Sequence, residues 1–460
     1  MEADKLPVSE GFIRPFLLSA CIYPLHIVGG AIMGQSAGML PQLLDKDSSI
    51  PIDMEQATWI ASSTAIGTCI SSAISGPLSD MFGRMRVVQM SYFLMALGHA
   101  LMMAASSFTG LVVGRLTVGL GLGCDFASFI YVSETVPAAL RGVLMALYTV
   151  MCSLGFIYIY VVGGYYHWTI ATGINAITAT SGLALSFFLY ETPVWLVRQG
   201  RLETARKSLR QSGIPAASLE AKLKELQDAA ENKSTETFSL GDLLGPTVWK
   251  PFSMVCIMAV LQNMAGFYIV ISYSIQFMAE FHSGYSPVQV TVGIAVVRLI
   301  AMTLTSFWMR HARRRVIGSV SGFGSSACLL AVFAFLHFGH LAPVLVENQW
   351  ILIALFFAYI FTMTLGIYAL PWTMPFEIFP MKVRGLMSGM TYVSQFIAMF
   401  VSVKLYNVLM DNLHLQGMIL MFAVGSALFG SFCVTWLVET HRRTLDEIEA
   451  EFAGKSKVYT

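Results

Sequence analysis

The chain has 460 residues, 56% of them hydrophobic and only 12% charged, with a mean hydropathy of +0.66 and a formal net charge of +1. About a quarter of the residues in a soluble domain are charged, so this composition leaves too little polar surface to face water and points to a membrane protein. The near-zero net charge and the lack of a basic stripe exclude a nucleic-acid partner, and all seven cysteines lie in apolar runs, as small core residues do.

A membrane-spanning helix needs roughly 20 mostly apolar residues. In chain order, such runs lie near 12–40, 57–79, 87–107, 109–133, 142–164 and 168–190. After a charged interval they resume near 251–279, 288–309, 316–338, 350–376, 385–408 and 415–438. Open strands cannot cross lipid, so these twelve segments are predicted to be helices. All but four of the 28 Lys and Arg residues fall in the termini or in loops on the termini's side of the spans. Lys46 alone occupies an opposite loop, while Arg115, Arg298 and Lys404 lie within spans. By the positive-inside rule both termini are cytoplasmic, and a multi-pass protein of the plasma membrane is expected. The interval from Glu191 to Lys250 is polar, with apolar spacing suited to short amphipathic helices. The predicted fold is thus an all-α membrane protein. It has a six-helix bundle over 1–190, a cytoplasmic helical linker over 191–250, a second bundle over 251–438 and a cytoplasmic tail over 439–460.

The two halves repeat. After span four the chain reads Glu134-x-x-Pro137-x-x-x-Arg141-Gly142, and after span ten Glu377-x-x-Pro380-x-x-x-Arg384-Gly385. A weaker pair is Asp80-x-x-Gly83-Arg84 after span two and Met309-x-x-Ala312-Arg313 after span eight. Repeats at matching positions imply two pseudo-symmetric bundles that enclose a midplane cavity and rock about it. Opposite charges near the membrane surface attract more strongly than in bulk water yet remain breakable. Asp80, Arg84, Glu134, Arg141, Glu377 and Arg384, with Glu439 of the tail, are therefore candidate gate residues, expected to latch the cytoplasmic ends of the halves together when the carrier faces outward. The Gly119–Gly123 run lies inside a span and reads as close helix packing rather than a phosphate loop. No nucleophile–base pair or metal cluster appears, so neither an enzyme nor a cofactor is expected.

These motifs resemble the sugar porters of the major facilitator superfamily, and within them the facilitated trehalose transporters of insects. The resemblance rests on GPLSDMFGR (76–84), GRLTVGLGLG (114–123), YVSETVPAALRG (131–142), ETPVWLVRQGR (191–201), LQNMAG (261–266), PWTMPFEIFPMKVRG (371–385) and ETHRRTLDEIE (439–449). It implies a sugar site between the halves, where amides and hydroxyls replace water on the ligand and an aromatic face underlies the ring. Carried over residue by residue, that site holds Gln262 and Trp372, which match the family motif, with Asn263 in place of a second Gln, Gln395 where Asn is usual, Thr149 where many hexose porters have Gln, and Tyr268 where the family has Asn. An interhelical hydrogen bond is the plainer role for these amides. Tyr368-Ala369 replace the family's Gly-Pro pair, which predicts a less breakable span ten.

The implied activity is facilitative transport of trehalose or a hexose by alternating access, with sugar and the lipid bilayer as partners. Span one has no Asp or Glu, and Ile32 holds the position of the acid of proton-coupled members, which favours uniport. Asp125 keeps a proton-coupled symporter open as an alternative, since an acid at that depth is a functional candidate. Its plainer role is a buried pair with Arg298, also mid-span. A non-transporting sugar sensor on the same scaffold is the third reading.

Overall fold

The computed structural model describes residues 10–233, 245–338, 348–380 and 383–454, and every regular element among them is helical. Span one is α1 (Glu10–Ala20) with α2 (Tyr23–Leu43); spans two and three are α3 (Met54–Phe82) and α4 (Arg84–Ala104). Span four is α5 (Phe108–Cys124) with α6 (Phe126–Thr135), followed by α7 (Ala138–Tyr165) and α8 (Trp168–Ser186) as spans five and six. The linker carries α9 (Pro193–Arg198), α10 (Leu202–Gln211) and α11 (Ala216–Lys233). Span seven is α12 (Pro246–Met264), α13 (Phe267–Ser272) and α14 (Ser274–Ala279); α15 (Pro287–His311) and α16 (Arg314–Phe338) are spans eight and nine. Span ten joins α17 (Trp350–Met363), a π-helical turn (Thr364–Tyr368) and α18 (Ala369–Ile378). Then come α19 (Arg384–Lys404), α20 (Tyr406–Thr435) and, in the tail, α21 (Leu445–Phe452).

Nine helical stretches among the described residues are long and apolar enough to cross a membrane. The Ser- and Thr-rich α3, α8 and the fragmented span seven complete the twelve expected segments. Helix starts are set locally: Asp53 accepts from the Gln56 N–H at 2.7 Å while the Gln56 side chain returns a bond to the Asp53 N–H, a capping box that opens α3. The breaks are local too. Gly266 (φ 87°) takes the left-handed conformation between α12 and α13, where a side chain would strike the Phe422 ring. His414 (φ 54°, ψ 178°) leaves the helical region and divides α20 into a short segment over 406–413 and a long one from 415, where the apolar run is predicted to begin.

The glycines do pack helices closely. A Cβ on Gly67 of α3 would lie 2.3 Å from the Leu116 carbonyl, and one on Gly119 of α5 2.3 Å from that of Thr64. In lipid, where tails are as apolar as Leu, such backbone approach is what drives helix association. Between the halves, α3 lies along α19 and α7 along α15. The linker helices form a separate apolar cluster around Trp195, Leu209, Leu219 and Leu223. The Trp195 indole N–H donates to the Asp80 carbonyl at 2.9 Å, docking the linker on the end of α3.

Candidate functional site

At the termini end of each half, one arginine organises a cluster. Arg84, at the start of α4, pairs with Glu134 at 3.2 Å and with Asp80 at 3.0 Å, and donates to the Ser79 carbonyl. Glu191 accepts the backbone N–H groups of Arg84 and Met85, both at 2.9 Å, so its carboxylate sits at the positive end of α4. Gly83 (φ 104°) makes room for it, since a Cβ there would lie 2.3 Å from Glu191 Oε2. Burial pushes the Glu191 carboxyl above the ordinary Glu range, against the pull of these backbone bonds. The Thr192 hydroxyl donates to Glu134 at 2.6 Å.

The second half repeats this piece by piece. Arg314 pairs with Glu377 at 2.9 Å and donates to the Met309 carbonyl. Glu439 accepts the N–H groups of Arg314 (2.8 Å) and Arg315 (3.2 Å), and the Thr440 hydroxyl donates to Glu377. The repeated arginine is thus Arg314, one residue beyond the expected Arg313, because two residues rather than one separate α15 from α16. Glu377 turns to Arg314, and Arg384 instead donates to the Phe379 carbonyl. The Arg141 side chain lies outside the described residues. Both clusters are internal to a half, and among the described residues no ion pair joins the halves; the latch is expected of an outward-facing carrier. Sequence reasoning passed over Arg314, Glu191, Thr192 and Thr440; the Glu-Thr dipeptide after spans six and twelve was the available signal.

Span ten is broken after all, despite lacking the Gly-Pro pair. The Ser321 hydroxyl of α16 donates to the Thr362 carbonyl (2.7 Å) and accepts from the N–H groups of Gly366 (3.1 Å) and Ile367 (2.9 Å). It therefore stands where the Gly366-to-Thr362 helical bond belongs, and the π-turn accommodates it. Pro371 and Pro375 supply no N–H, which strips the Ile367 and Pro371 carbonyls of their helical donors. Side-chain amides replace those donors. Gln262 Nε2 donates to Ile367 O at 2.9 Å and Tyr368 O at 3.2 Å, and Gln395 Nε2 donates to Pro371 O at 2.7 Å. The Oε1 atoms of Gln262 and Gln395 and the Trp372 indole N–H are buried with no partner.

Of the other residues expected at the site, Asn263 donates to the Ala259 carbonyl and accepts from Ser402 at 2.8 Å. Tyr268 is buried edge-on to Phe267, and Thr149 is half-buried on α7. Trp372 belongs to an aromatic stack that crosses between halves, with Tyr392 at 5.2 Å and Phe126 of α6 at 6.4 Å. Phe126 and Tyr392 stack at 4.5 Å, and nothing in the sequence singles them out. A narrow crevice nearby is lined by Ile32, Thr64, Thr68, Arg115, Ser272 and Phe396.

The mid-span charges separate. Arg115 is fully buried, donating to the carbonyls of Ile32 and Ile60 and to Ser36 and Gln35. Asp125, at the break between α5 and α6, accepts from Ser128 at 2.8 Å and faces His26 at 3.7 Å. His26 stacks on Tyr148 at 4.2 Å. The expected Asp125–Arg298 pair is not made. Arg298 instead lies among rings, 4.0 Å from Phe156, 4.8 Å from Tyr368 and 5.2 Å from Phe267. Desolvated cation–π contacts contribute about 2 kcal/mol each, against several kcal/mol for burying the charge.

The halves close on each other toward the end away from the termini. Tyr160 donates to the Ile271 carbonyl at 3.0 Å, and Lys404 donates to Thr58 at 2.9 Å while lying over Trp59. A Cβ on Gly164 would lie 2.3 Å from Val288 across the same seam.

A family profile described as "Sugar (and other) transporter" matches residues 21–452. The chain is 25% identical over 434 residues to a protein of Drosophila willistoni named facilitated trehalose transporter Tret1, covering 93% of this chain and 50% of that protein. It is 26% identical over 449 residues to the glucose transporter GlcP of Staphylococcus epidermidis, covering 95% and 98% respectively. The chain thus spans about half the length of the fly relatives and nearly all of the bacterial one. The inward-open xylose transporter XylE of E. coli superposes with a TM-score of 0.77 at 18% identity, over 95% of this chain and 99% of that one, a likeness of fold.

Proposed function

This chain belongs to the sugar (and other) transporter family, and from that premise we propose that it carries trehalose or a hexose across the plasma membrane as a uniporter, by alternating access. One observation carries the reading. The Oε1 atoms of Gln262 and Gln395 and the Trp372 N–H are buried without partners at the broken middle of span ten. Each amide donates to a carbonyl freed by proline and keeps an acceptor for a sugar hydroxyl. Trehalose and glucose are the cargoes in two relatives' names, which supports the substrate class.

The bonds at the far end and the lack of described ion pairs between the halves fit a carrier closed outside and open toward cytoplasmic termini. On this reading the two arginine clusters keep each half rigid as it rocks, and Asp80, Arg84, Glu134, Arg141, Glu377, Arg384 and Glu439 gate the cytoplasmic end. Counterflow in proteoliposomes with trehalose, glucose and fructose tests the proposal. Exchange of at least one is expected; binding without exchange would identify a sensor instead.

The His26–Asp125 contact, an imidazole facing a carboxylate at mid-span, favours a second reading, proton symport. Running the counterflow at two pH values separates the two. Uniport predicts little pH dependence and a working Asp125→Asn variant. Symport predicts uptake that rises as external pH falls and is lost in that variant.

A further inference from the structure

Arg298 is 4% exposed, and its Nε and Nη1 atoms have no hydrogen-bond partner. Ring faces surround it, and none carries a formal charge to balance the guanidinium. Asp125, the acid it was expected to meet, is engaged by Ser128 and His26. The other buried arginines differ. Arg115 spends its donors on carbonyls and side-chain oxygens of α2 and α3, and Arg84 on two carboxylates. Among these three, Arg298 alone leaves both Nε and Nη1 without a partner.

We propose that Arg298 is a binding site for an oxyanion, a carboxylate or phosphate borne by the sugar that this protein carries. The sugar half of that ligand rests on the transporter reading. A guanidinium offers parallel N–H donors that match two oxygens of such a group, while apolar rings exclude water around it. The position suits a carried ligand. Phe156 belongs to α7 of the first half, whereas Arg298, Phe267 and Tyr368 belong to the second. Movement of one half against the other would lift the Phe156 ring from the guanidinium and free the fork. Tyr368, whose ring faces the guanidinium, also supplies one of the two carbonyls that Gln262 holds, so an acidic sugar at Arg298 would lie beside that amide.

The test uses the full-length protein in nanodiscs and proteoliposomes, with glucose, glucuronate, glucose 6-phosphate and inorganic phosphate as ligands. Glucuronate or glucose 6-phosphate should bind at least tenfold more tightly than glucose, and inorganic phosphate more weakly than the charged sugar. Arg298→Gln should abolish the preference, and Arg298→Lys should keep part of it. Equal binding of glucose and both charged sugars by the unaltered protein overturns the inference, and that comparison needs no variant to fold. So does an Arg298→Gln protein that melts earlier but keeps the preference, which would make Arg298 a packing strut. Glucose exchange with no charge preference would sink this inference and leave the carrier standing. A charge preference without exchange of any sugar would keep the oxyanion site and remove the carrier.

Discussion

Gln262 and Gln395 do structural work with one end of the amide and leave the other end bare. Each N–H group satisfies a carbonyl that a proline has orphaned, which in lipid has no water to turn to. Gln262→Ala should therefore lower thermal stability by about 0.6–2 kcal/mol, the range for an interhelical hydrogen bond in a bilayer. It should also weaken sugar binding, because the Oε1 acceptor goes with it. Thermal unfolding and equilibrium binding of the purified variant check both; lost stability with unchanged binding would leave Gln262 a purely structural residue. Arg314 makes the matching case at the membrane surface. Arg314→Ala removes charge-assisted bonds to Glu377 worth about 1.5–3 kcal/mol each and leaves that carboxylate without its cation. Turnover should fall more than substrate affinity, as initial rates of counterflow over a range of sugar concentrations would record.

Span ten is the element whose behaviour departs most from its sequence. Without a Gly-Pro pair it reads as stiff, yet a serine from α16 wedges it open and two prolines thin its ladder below the wedge. Pro371→Ala would return an N–H to the Ile367 carbonyl and set it in competition with Gln262. The helix should straighten, and turnover should slow several-fold with little change in affinity. Ser321→Ala should act in the same direction by letting Gly366 bond Thr362 directly. Faster turnover in either variant would mean that the π-turn plays no part in the moving step.

As a whole, the molecule is two six-span bundles held at one end by few polar bonds. Tyr160 and Lys404 supply two of them, each reaching from one bundle to the other. Removing about 1 kcal/mol from a two-state balance moves it roughly fivefold. A Tyr160→Phe, Lys404→Met protein should therefore spend more time open at that end. With Val288→Cys as a reporter in the seam, a membrane-impermeant thiol reagent should label it several times faster than in the parent. An unchanged labelling rate would show that these bonds do not hold the closure.

The sequence by itself determined the twelve apolar segments, the charged linker and the Glu–Arg repeats, because each depends on local hydropathy or on duplicated spacing. It also singled out Gln262 and Trp372, whose motifs survive in the chain, and Gln395, which stands where the family it resembles has Asn. Only the tertiary structure decided the partners. Glu134 turns to Arg84 and Glu377 to Arg314 because helices distant in sequence end side by side. Asp125 faces His26 rather than Arg298, and Ser321 breaks a helix 45 residues away. Pairing of buried polar groups is set by which spans touch, and no pattern along one span contains that information.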